Sequence, residues 1–420
     1  MNTFLEQLRL KPLPTEGPLD SGAEEELFRR VGQQAVATAL AERWQQADPT
    51  ETRSCPDCQG EMKKLGRRAK SLQTLCGPMT LQRQVFHCPP CGTIQAPLDQ
   101  RLGVDQTGIS PALNRLLCRT ALELPYQQSQ RLLSDTLGFC PASPREIERV
   151  AKRHGEWLEK QQWAEPAEVR RRVGQPSRKP VYCLGIDAVL IAGLPDAVEH
   201  CLNWHDVKIA VAFDPRQVQS PFYVAGREEV ERFGERLWNQ CQRRQLEAER
   251  FFLILGDGAP WIWNLAETYF HGVPQLLDFY HAAQHLYATA EALWPPATAL
   301  SWWHRRLEQL KAGQQENFFA ALKLSARRHD TADAAVSPKR LLQYFQDNRT
   351  RLDYPWAIAH HLPIGSGSVE SAGRHIVQQR LKLSGMRWSD AGAQSILNLR
   401  TLHRSGDFEQ YWENYAATGS

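Results

Sequence analysis

Short runs of apolar residues, separated by longer amphipathic stretches, mark the second half of the chain. Phe251–Leu255 contains only apolar residues, and Val181–Ala192 is a longer apolar run that contains Asp187. Such runs predict strands that are buried on both faces of a sheet. His205–Phe213 instead alternates polar and apolar residues, which is typical of a strand with one buried face. We therefore predict a sheet in this part of the chain.

The order of the elements in this region predicts a particular α/β fold. Strands are predicted over Val181–Ala192, His205–Phe213, Pro221–Ala225, Phe251–Leu255 and Pro274–Tyr280, and helices over Glu228–Glu247, Ala259–Phe270 and His281–Leu293. Three strands followed by alternating helices and strands is the order of an RNase H-like domain. In that fold the first and fourth strands are neighbours, so Asp187 in the first and Asp257 at the end of the fourth would lie side by side.

A third carboxylate, Glu370, follows a Gly/Ser loop at the start of a helical pattern, LPIGSGSVESAGRHIVQQRLK. The stretch between Asp257 and Glu370 is far longer than a fifth strand and one crossover require. Its excess, about residues 294–360, is helical in pattern and rich in tryptophan and basic residues. We predict a helical insertion there, and we expect the three carboxylates to converge on divalent metal.

Four of the ten cysteines form two Cys-x-x-Cys pairs, Cys55 with Cys58 and Cys88 with Cys91. Such a turn brings two sulfurs to one point, so two turns complete a tetrahedral site of four thiolates for structural zinc. Strands are predicted between the pairs, over Ser71–Leu75 and Thr80–His87, and so small a ribbon needs its metal to fold. Free thiols are the alternative interpretation, and Cys76 lacks a partner at this spacing.

Residues 101–175 have a helical pattern, with helices predicted over Ser110–Ala121, Tyr126–Leu137 and Ser143–Lys160. The last helix follows a glycine-containing turn and carries four basic residues, Arg145, Arg149, Lys152 and Arg153. A helix, a short turn and a basic helix are typical of a helix-turn-helix DNA-binding motif. An ordinary helical hairpin with a charged outer face is the alternative. Residues 1–50 contain a further predicted helix, Glu24–Ala47, suited to packing or dimerisation.

Composition narrows the class of protein. The content of charged residues, 23%, and of hydrophobic residues, 42%, is ordinary for a soluble globular protein. No run of about 18 apolar residues predicts a membrane span, and the N-terminus lacks the apolar core of a signal peptide, so we expect a cytoplasmic protein. Net charge is only +3, but basic residues outnumber acidic ones in 101–180 and in 370–404. These two segments are suited to neutralising phosphates, although a solvated charged face would look the same.

Several motifs together resemble bacterial insertion-sequence transposases of the DDE class, in particular the ISKra-type group, with kinship to Mutator-like transposases. They are GID ending at Asp187, GDGAPWIW around Asp257, DFYH from Asp278 to His281, and GSGSVESAGR around Glu370, followed by LKLSGMRWS. The resemblance covers about residues 50–410. It implies that Asp187, Asp257 and Glu370 are catalytic and that the chain cleaves DNA at element ends and joins the 3′-hydroxyl ends to target DNA.

The implied chemistry suits these residues. Hard cations prefer oxygen ligands, so three carboxylates fit two Mg²⁺ or Mn²⁺ ions, which activate a water and stabilise a leaving oxygen. Asp278 and His281 match the Asp-x-x-His motif of the family, which implies a positioning role. Arg374 lies one helical turn after Glu370, where it could meet a phosphate or pair with that carboxylate. Two more basic residues, Lys382 and Arg387, are expected near DNA.

The resulting interpretation is a nucleoid-associated transposase that binds double-stranded DNA, as a homo-oligomer in the DNA complex. The predicted parts are an N-terminal helical segment over 1–50, a zinc ribbon over 51–100, a helix-turn-helix region over 101–175, an RNase H-like catalytic domain over 176–405 and a C-terminal tail over 406–420. Two other classes remain open. One is a regulator that binds DNA without cutting it, and the other is a different RNase H-like nuclease.

Overall fold

The protein, seen here as a computed structural model, is described for residues 20–49, 51, 53–104, 107–163, 182–195, 203–244, 246, 250–329 and 336–418. The last part of the predicted helix-turn-helix region, 164–175, lies outside these residues. The chain divides into two compact units, residues 1–153 with 408–420, and residues 154–407. Among the described residues, no helix is both long enough and apolar enough to cross a bilayer.

The first unit combines a small sheet with helices. Its elements are α1 (Ser21–Gln46), β1 (Lys63–Thr74), β2 (Gly77–His87), β3 (Ile94–Gln95), α2 (Pro97–Arg101), α3 (Pro111–Glu123), α4 (Tyr126–Leu137), α5 (Pro144–Trp163, in which the division between the units falls) and a C-terminal helix (Phe408–Thr418). That last helix occupies most of the segment expected to form a tail.

The small sheet is an antiparallel ribbon in the order β1-β2-β3. Both strands predicted between the cysteine pairs are confirmed, and each is longer than predicted. The turn between them needs Gly77, whose φ of 109° lies in the left-handed region. Ala37 and Ala41 of α1 are buried in one apolar cluster with Leu72 and Leu81 of the ribbon.

The helices after the ribbon begin and end where capping residues predict. Ser110 accepts a hydrogen bond from the amide of Leu113 at 3.3 Å, at the start of α3. Ser143 and Glu146 form a reciprocal capping box at the start of α5, with distances of 2.7 and 3.3 Å. α4 ends at Gly138, which has a φ of 72°. The three helices predicted in this region are therefore confirmed.

The second unit contains the larger sheet and most of the helices. Its strands are β4 (Tyr182–Ala192), β5 (Trp204–Asp214), β6 (Gln217–Gly226), β7 (Phe251–Gly256) and β8 (Gln275–Leu277). Its helices are α6 (Val230–Arg243), α7 (Pro260–Tyr269), α8 (Phe279–Leu293), α9 (Pro296–Lys311), α10 (Gln315–Arg328), α11 (Pro338–Asp347), α12 (Tyr354–Ala359), α13 (Gly367–Ala372), a π-helix (Gly373–Gln378), α14 (Gln379–Leu381) and α15 (Asp390–Arg404).

The strand order in the described part of the second unit is β6-β5-β4-β7-β8. β4 pairs antiparallel with β5 and parallel with β7, so the first and fourth strands are neighbours, as predicted. β8 extends the parallel side beyond β7. The protein is therefore a mixed α/β protein with one ribbon and one larger, mixed sheet.

The fifth strand is shorter than predicted, and the reason is Asp278. The prediction placed a strand over Pro274–Tyr280, but β8 ends at Leu277. The Asp278 carboxylate accepts hydrogen bonds from the amides of Tyr280 at 2.7 Å and His281 at 3.2 Å. Asp278 is thus the N-cap of α8, and the helix begins directly after it.

The described part of the predicted helical insertion, 294–329 and 336–360, is largely helical and shares the core of the larger sheet. Phe318 of α10 and Phe345 of α11 are fully buried, with ring centroids 4.8 Å apart. Both belong to the same apolar cluster as Leu253 of β7 and Ile262 of α7. These helices are therefore held by the core that also positions the ends of the strands.

Candidate active site

Asp187 lies on the face of β4 that a helical segment covers at very short distance. Side chains alternate along a strand, so Gly185, Asp187 and Val189 share one face. A Cβ on Gly185 would lie 3.0 Å from Cβ of Val369, and a Cβ on Gly373 would lie 3.1 Å from Cγ2 of Val189. The segment from 369 to 373, which includes Glu370, therefore packs directly over Asp187.

Asp257 is brought beside Asp187 by the parallel register. Gly185 of β4 pairs with Leu255 of β7. Asp187 and Asp257 each lie two residues after this pair. The Asp257 carboxylate accepts a hydrogen bond from the Ala259 amide at 2.9 Å. The two aspartates thus come from adjacent strands, at positions that the ladder itself determines.

Tyr344, from the insertion, holds the backbone of Asp257. Its hydroxyl donates to the Asp257 carbonyl at 2.7 Å. A Cβ on Gly258 would lie 2.7 Å from Cε2 of the same ring, and Gly258 has a φ of 103°, so both space and backbone conformation require glycine there. Burial, followed by the charges of Asp257 and Asp278, raises the pKa of Tyr344, which keeps it a neutral donor.

Glu370 is exposed and belongs to α13, which begins after a loop held by buried Asp278. The Ser366 amide donates to Asp278 Oδ2 at 3.1 Å, and the Ser366 hydroxyl donates to the same oxygen. The Ser366 hydroxyl also lies 3.4 Å from Glu370 Oε1. Asp278 therefore joins the end of β8, the start of α8 and the loop that leads to Glu370.

The three carboxylates interact electrostatically. Burial, as the largest cause, and the negative charges of Asp257 and Glu370 raise the pKa of Asp187 from 3.8 to about 6. The Ala188 amide, which donates to Asp187 at 2.7 Å, and His281 act in the opposite direction. In the described part of the chain, none of the three carboxylates forms an ion pair with a basic side chain. His281 therefore offsets only part of the repulsion that Asp257 and Glu370 add.

Arg374, predicted either to meet a phosphate or to pair with Glu370, is exposed. Among the described residues it makes no ion pair with that glutamate. Arg374 is the second residue of the π-helix, which begins at Gly373. Buried Arg400 of α15 donates to the carbonyl of Ile376 at 2.8 Å and to that of His375. The π-helix next to Glu370 is thus held from a neighbouring helix.

Sequence reasoning missed His285. Its Nε2 lies 3.0 Å from Nε2 of His281, and its ring packs on Tyr344 with centroids 4.7 Å apart. Burial and the neighbouring His281 lower the pKa of His285, while Asp257 raises it. The spacing His281-x-x-x-His285 is a readable signal, because residues four apart share a helix face. The contact of Tyr344 with Asp257 could not be predicted in this way, because the two residues are distant in the sequence.

The four cysteines of the two pairs form a cluster that can hold a metal ion such as zinc. Their sulfur atoms all lie within 4.8 Å of one another. Cys55 Sγ is 3.5 Å from Cys91 Sγ, and Cys58 Sγ is 3.4 Å from Cys88 Sγ. A tetrahedral site with Zn–S bonds of about 2.3 Å would separate its sulfurs by about 3.8 Å. In the described part of the chain, no other set of three or more potential ligands is as close together, and this includes the three carboxylates.

The two cysteine turns have matching backbones. The amide of Gln59 donates to the Cys55 carbonyl at 2.9 Å, and the amide of Gly92 donates to the Cys88 carbonyl at 2.8 Å. Gln59 and Gly92 both have positive φ, 61° and 77°. A hydrogen bond with the Thr93 side chain is the main cause that lowers the pKa of Cys91 to about 6, whereas burial raises the pKa of Cys88 to about 12. Without a metal ion, the cluster therefore favours the thiolate at Cys91 and the neutral thiol at Cys88.

The predicted DNA-binding residues differ in exposure. Five of the six are exposed, namely Arg145, Arg149, Lys152, Lys382 and Arg387. Arg153 is half-buried, and burial lowers its pKa while Tyr411 and Tyr415 of the C-terminal helix raise it. The connection between α4 and α5, residues 138–143, is longer than the turn of about three to four residues typical of helix-turn-helix motifs. The exposed residues are thus the ones available for phosphate contacts.

In comparisons with known proteins, the chain matches no protein-family model, and no curated protein sequence is significantly similar to it.

Proposed function

We propose that this protein is a metal-dependent enzyme that cleaves and joins DNA phosphodiester bonds, a DDE transposase. The observation that carries the proposal is the placement of Asp187 and Asp257 two residues beyond a paired position on adjacent parallel strands, with the segment that carries Glu370 packed over the same face of β4. The strand order β6-β5-β4-β7-β8, with its antiparallel second strand, supports an RNase H-like arrangement for this unit. The expected ligands of the metal ions are two aspartates on adjacent parallel strands and a glutamate on the covering helix.

The donor set fits Mg²⁺ or Mn²⁺. All three groups are carboxylates, and hard cations prefer oxygen ligands. Asp187 is partly buried beside two like charges and forms no ion pair among the described residues, which is the environment that a bound cation stabilises. Such ions would supply an activated water and a stabilised leaving oxygen.

The surrounding residues serve this site by holding its ligands. Ser366 and Asp278 set the start of the helix that carries Glu370. Tyr344 fixes the backbone at Asp257. His281 lowers the pKa of Asp187, so it favours the ionised carboxylate that a cation needs. Exposed basic residues on α5, Arg145 and Arg149 among them, would contact the phosphates of end DNA.

A second candidate function is a DNA-binding protein that does not cut. The cysteine cluster, which could hold a zinc ribbon together, and the exposed basic side chains of α5 favour it, because DNA contacts by these parts would not need the carboxylates. Inverted repeats in the DNA on both sides of the gene would favour the transposase.

The decisive experiment measures cleavage of a linear DNA that carries the element's ends, with Mg²⁺ or Mn²⁺. Asp257→Asn and Glu370→Gln should each abolish cleavage and strand transfer, because each removes charge while keeping shape. Glu291→Gln, a matched change at an exposed position of α8, should cut at the parental rate. All three should bind end DNA normally in a mobility-shift assay. Parental cleavage by folded Asp257→Asn would disprove the assignment.

A further inference from the structure

A cavity of about 590 Å³ lies in the helical insertion, away from the carboxylates. Its walls come from α9, α10 and the residues that flank them. The side chains that matter for its chemistry are Trp294, Trp302, Arg305, Arg306, Arg328 and His329. Its volume is within the range of about 300–1,000 Å³ typical of small-molecule sites.

One wall of the cavity is aromatic. Trp294 and Trp302 lie with ring centroids 5.1 Å apart, and His329 meets Trp294 edge-on at 5.5 Å. The indole N–H of the next residue, Trp303, donates to the Ala283 carbonyl at 2.9 Å. Trp303 thus anchors α9 to α8, whereas partly buried Trp302 faces the cavity. This wall offers flat π surface for another ring.

The other wall is cationic. Arg306 is only 6% exposed, and its Nε has no hydrogen-bond partner among the described residues. Its guanidinium carbon lies 5.4 Å from the Trp302 ring. Burial, and then the charge of Arg305, lower the pKa of Arg306. No aspartate or glutamate is among the residues that line the cavity.

A buried guanidinium without an anion is costly, so this wall is arranged for a negatively charged group. Arg305 and Arg328 are exposed and extend the positive charge to the mouth of the cavity. Guanidinium groups match phosphate oxygens especially well, because their donors form a planar fork. The ligand must therefore combine an aromatic ring with an anionic oxygen group.

We propose that this cavity binds a nucleotide, with its base against Trp302 and Trp294 and its phosphate on the arginines. The nucleotide is either free or an unstacked residue of a DNA strand, and the chemistry of the site is the same for both. This inference does not depend on the carboxylate site, since the Asp257→Asn protein should keep the nucleotide site intact.

Calorimetric titration of the full chain with deoxyadenosine monophosphate tests the proposal, with inorganic phosphate and deoxyadenosine as partial ligands. The nucleotide should bind at least about tenfold more tightly than either part, because only it uses both walls. Trp302→Ala should weaken nucleotide binding by at least about tenfold, and Trp302→Phe should restore much of it. Equal binding of nucleotide and inorganic phosphate would overturn the proposal.

Arg328→Ala and Arg327→Ala provide a matched pair. Both remove one exposed positive charge from the end of α10, but only Arg328 lines the cavity. Arg328→Ala should weaken nucleotide binding several-fold, and Arg327→Ala should leave it unchanged. This pair keeps the test valid if Trp302→Ala fails to fold, and equal effects of the two changes would contradict the site.

A single-stranded oligodeoxyadenylate distinguishes the two sources. If it displaces the monophosphate, and Trp302→Ala weakens its binding too, then the natural ligand is an unstacked nucleotide of a strand. If the monophosphate binds but the oligonucleotide does not displace it, then the site takes a free nucleotide. If neither binds, the inference is wrong.

Discussion

Replacing Asp187 by asparagine tests whether the three carboxylates strain the protein in the absence of metal. The raised pKa means that the folded protein disfavours the ionised form of this side chain. Asparagine keeps the shape but cannot ionise. The variant should therefore be more stable than the parent wherever Asp187 would be charged, provided that no divalent metal is added.

The size of the expected stability difference between Asp187→Asn and the parent follows from the raised pKa of Asp187. A rise from 3.8 to about 6 corresponds to about 3 kcal/mol, at about 1.4 kcal/mol for each unit of pKa. Between these two values the folded state binds more protons than the unfolded state, so the stability of the parent falls as the pH rises. The free energy of unfolding of Asp187→Asn, relative to the parent, should thus rise by about 3 kcal/mol from pH 4 to pH 7 and level off above.

Urea titrations followed by tryptophan fluorescence, at a series of pH values, measure this difference. Asparagine can still accept the hydrogen bond from the Ala188 amide through its side-chain oxygen. Any remaining offset between the uncharged asparagine and the parent would not change with pH, so the pH dependence is the informative quantity. Saturating Mg²⁺ should stabilise the parent, by about 2.7 kcal/mol at 100 times the dissociation constant, and affect the variant much less. A difference that stays flat from pH 4 to pH 8, or equal stabilisation of both proteins by Mg²⁺, would refute the reasoning.

Three more predictions follow from other parts of the molecule. Cys88→Ser should remove stoichiometric zinc and unfold the ribbon, whereas Cys76→Ser should leave the zinc content of purified protein, measured by elemental analysis, unchanged. Changing Arg145 and Arg149 together to alanine should weaken binding to end DNA and reduce its salt dependence, as measured by fluorescence anisotropy; unchanged affinity would show that α5 is not the contact surface. Asp278→Asn should lower the free energy of unfolding by about 1–3 kcal/mol, because one amide oxygen cannot accept both from the α8 amides and from the buried Ser366 amide, and it should reduce cleavage less than loss of a carboxylate ligand does. Complete loss of cleavage in a folded Asp278→Asn protein would contradict a positioning role.

The local sequence determined the bounds of helices where the period of hydrophobic residues and the capping residues indicate the same start and end. The helix Tyr126–Leu137 has the predicted bounds, and α5 begins at the predicted Ser-Pro step. The two cysteine turns were also readable, because their hydrogen bonds are local and link residues four apart. In such segments the physical cause lies within a few residues, so no knowledge of the rest of the chain is needed.

The sequence also indicated which acidic residues would meet, but only through an assumed strand order. Asp187 sits among apolar residues and Asp257 ends an apolar run, and both features are visible in the sequence. That the two lie side by side depends on the parallel pairing of Gly185 with Leu255, between strands that are separated by two strands and a helix. Local propensity does not carry such pairing information.

Tertiary structure alone decided how the site is held. The predicted strand through Asp278 stops early, because that carboxylate caps α8 and binds the Ser366 loop from a distant part of the chain. Tyr344 reaches the Asp257 carbonyl from the insertion, and Arg400 reaches the π-helix after Glu370. These contacts form only when distant segments are packed against one core. The raised pKa of Asp187 has the same origin, because burial and neighbouring charges are properties of the folded chain.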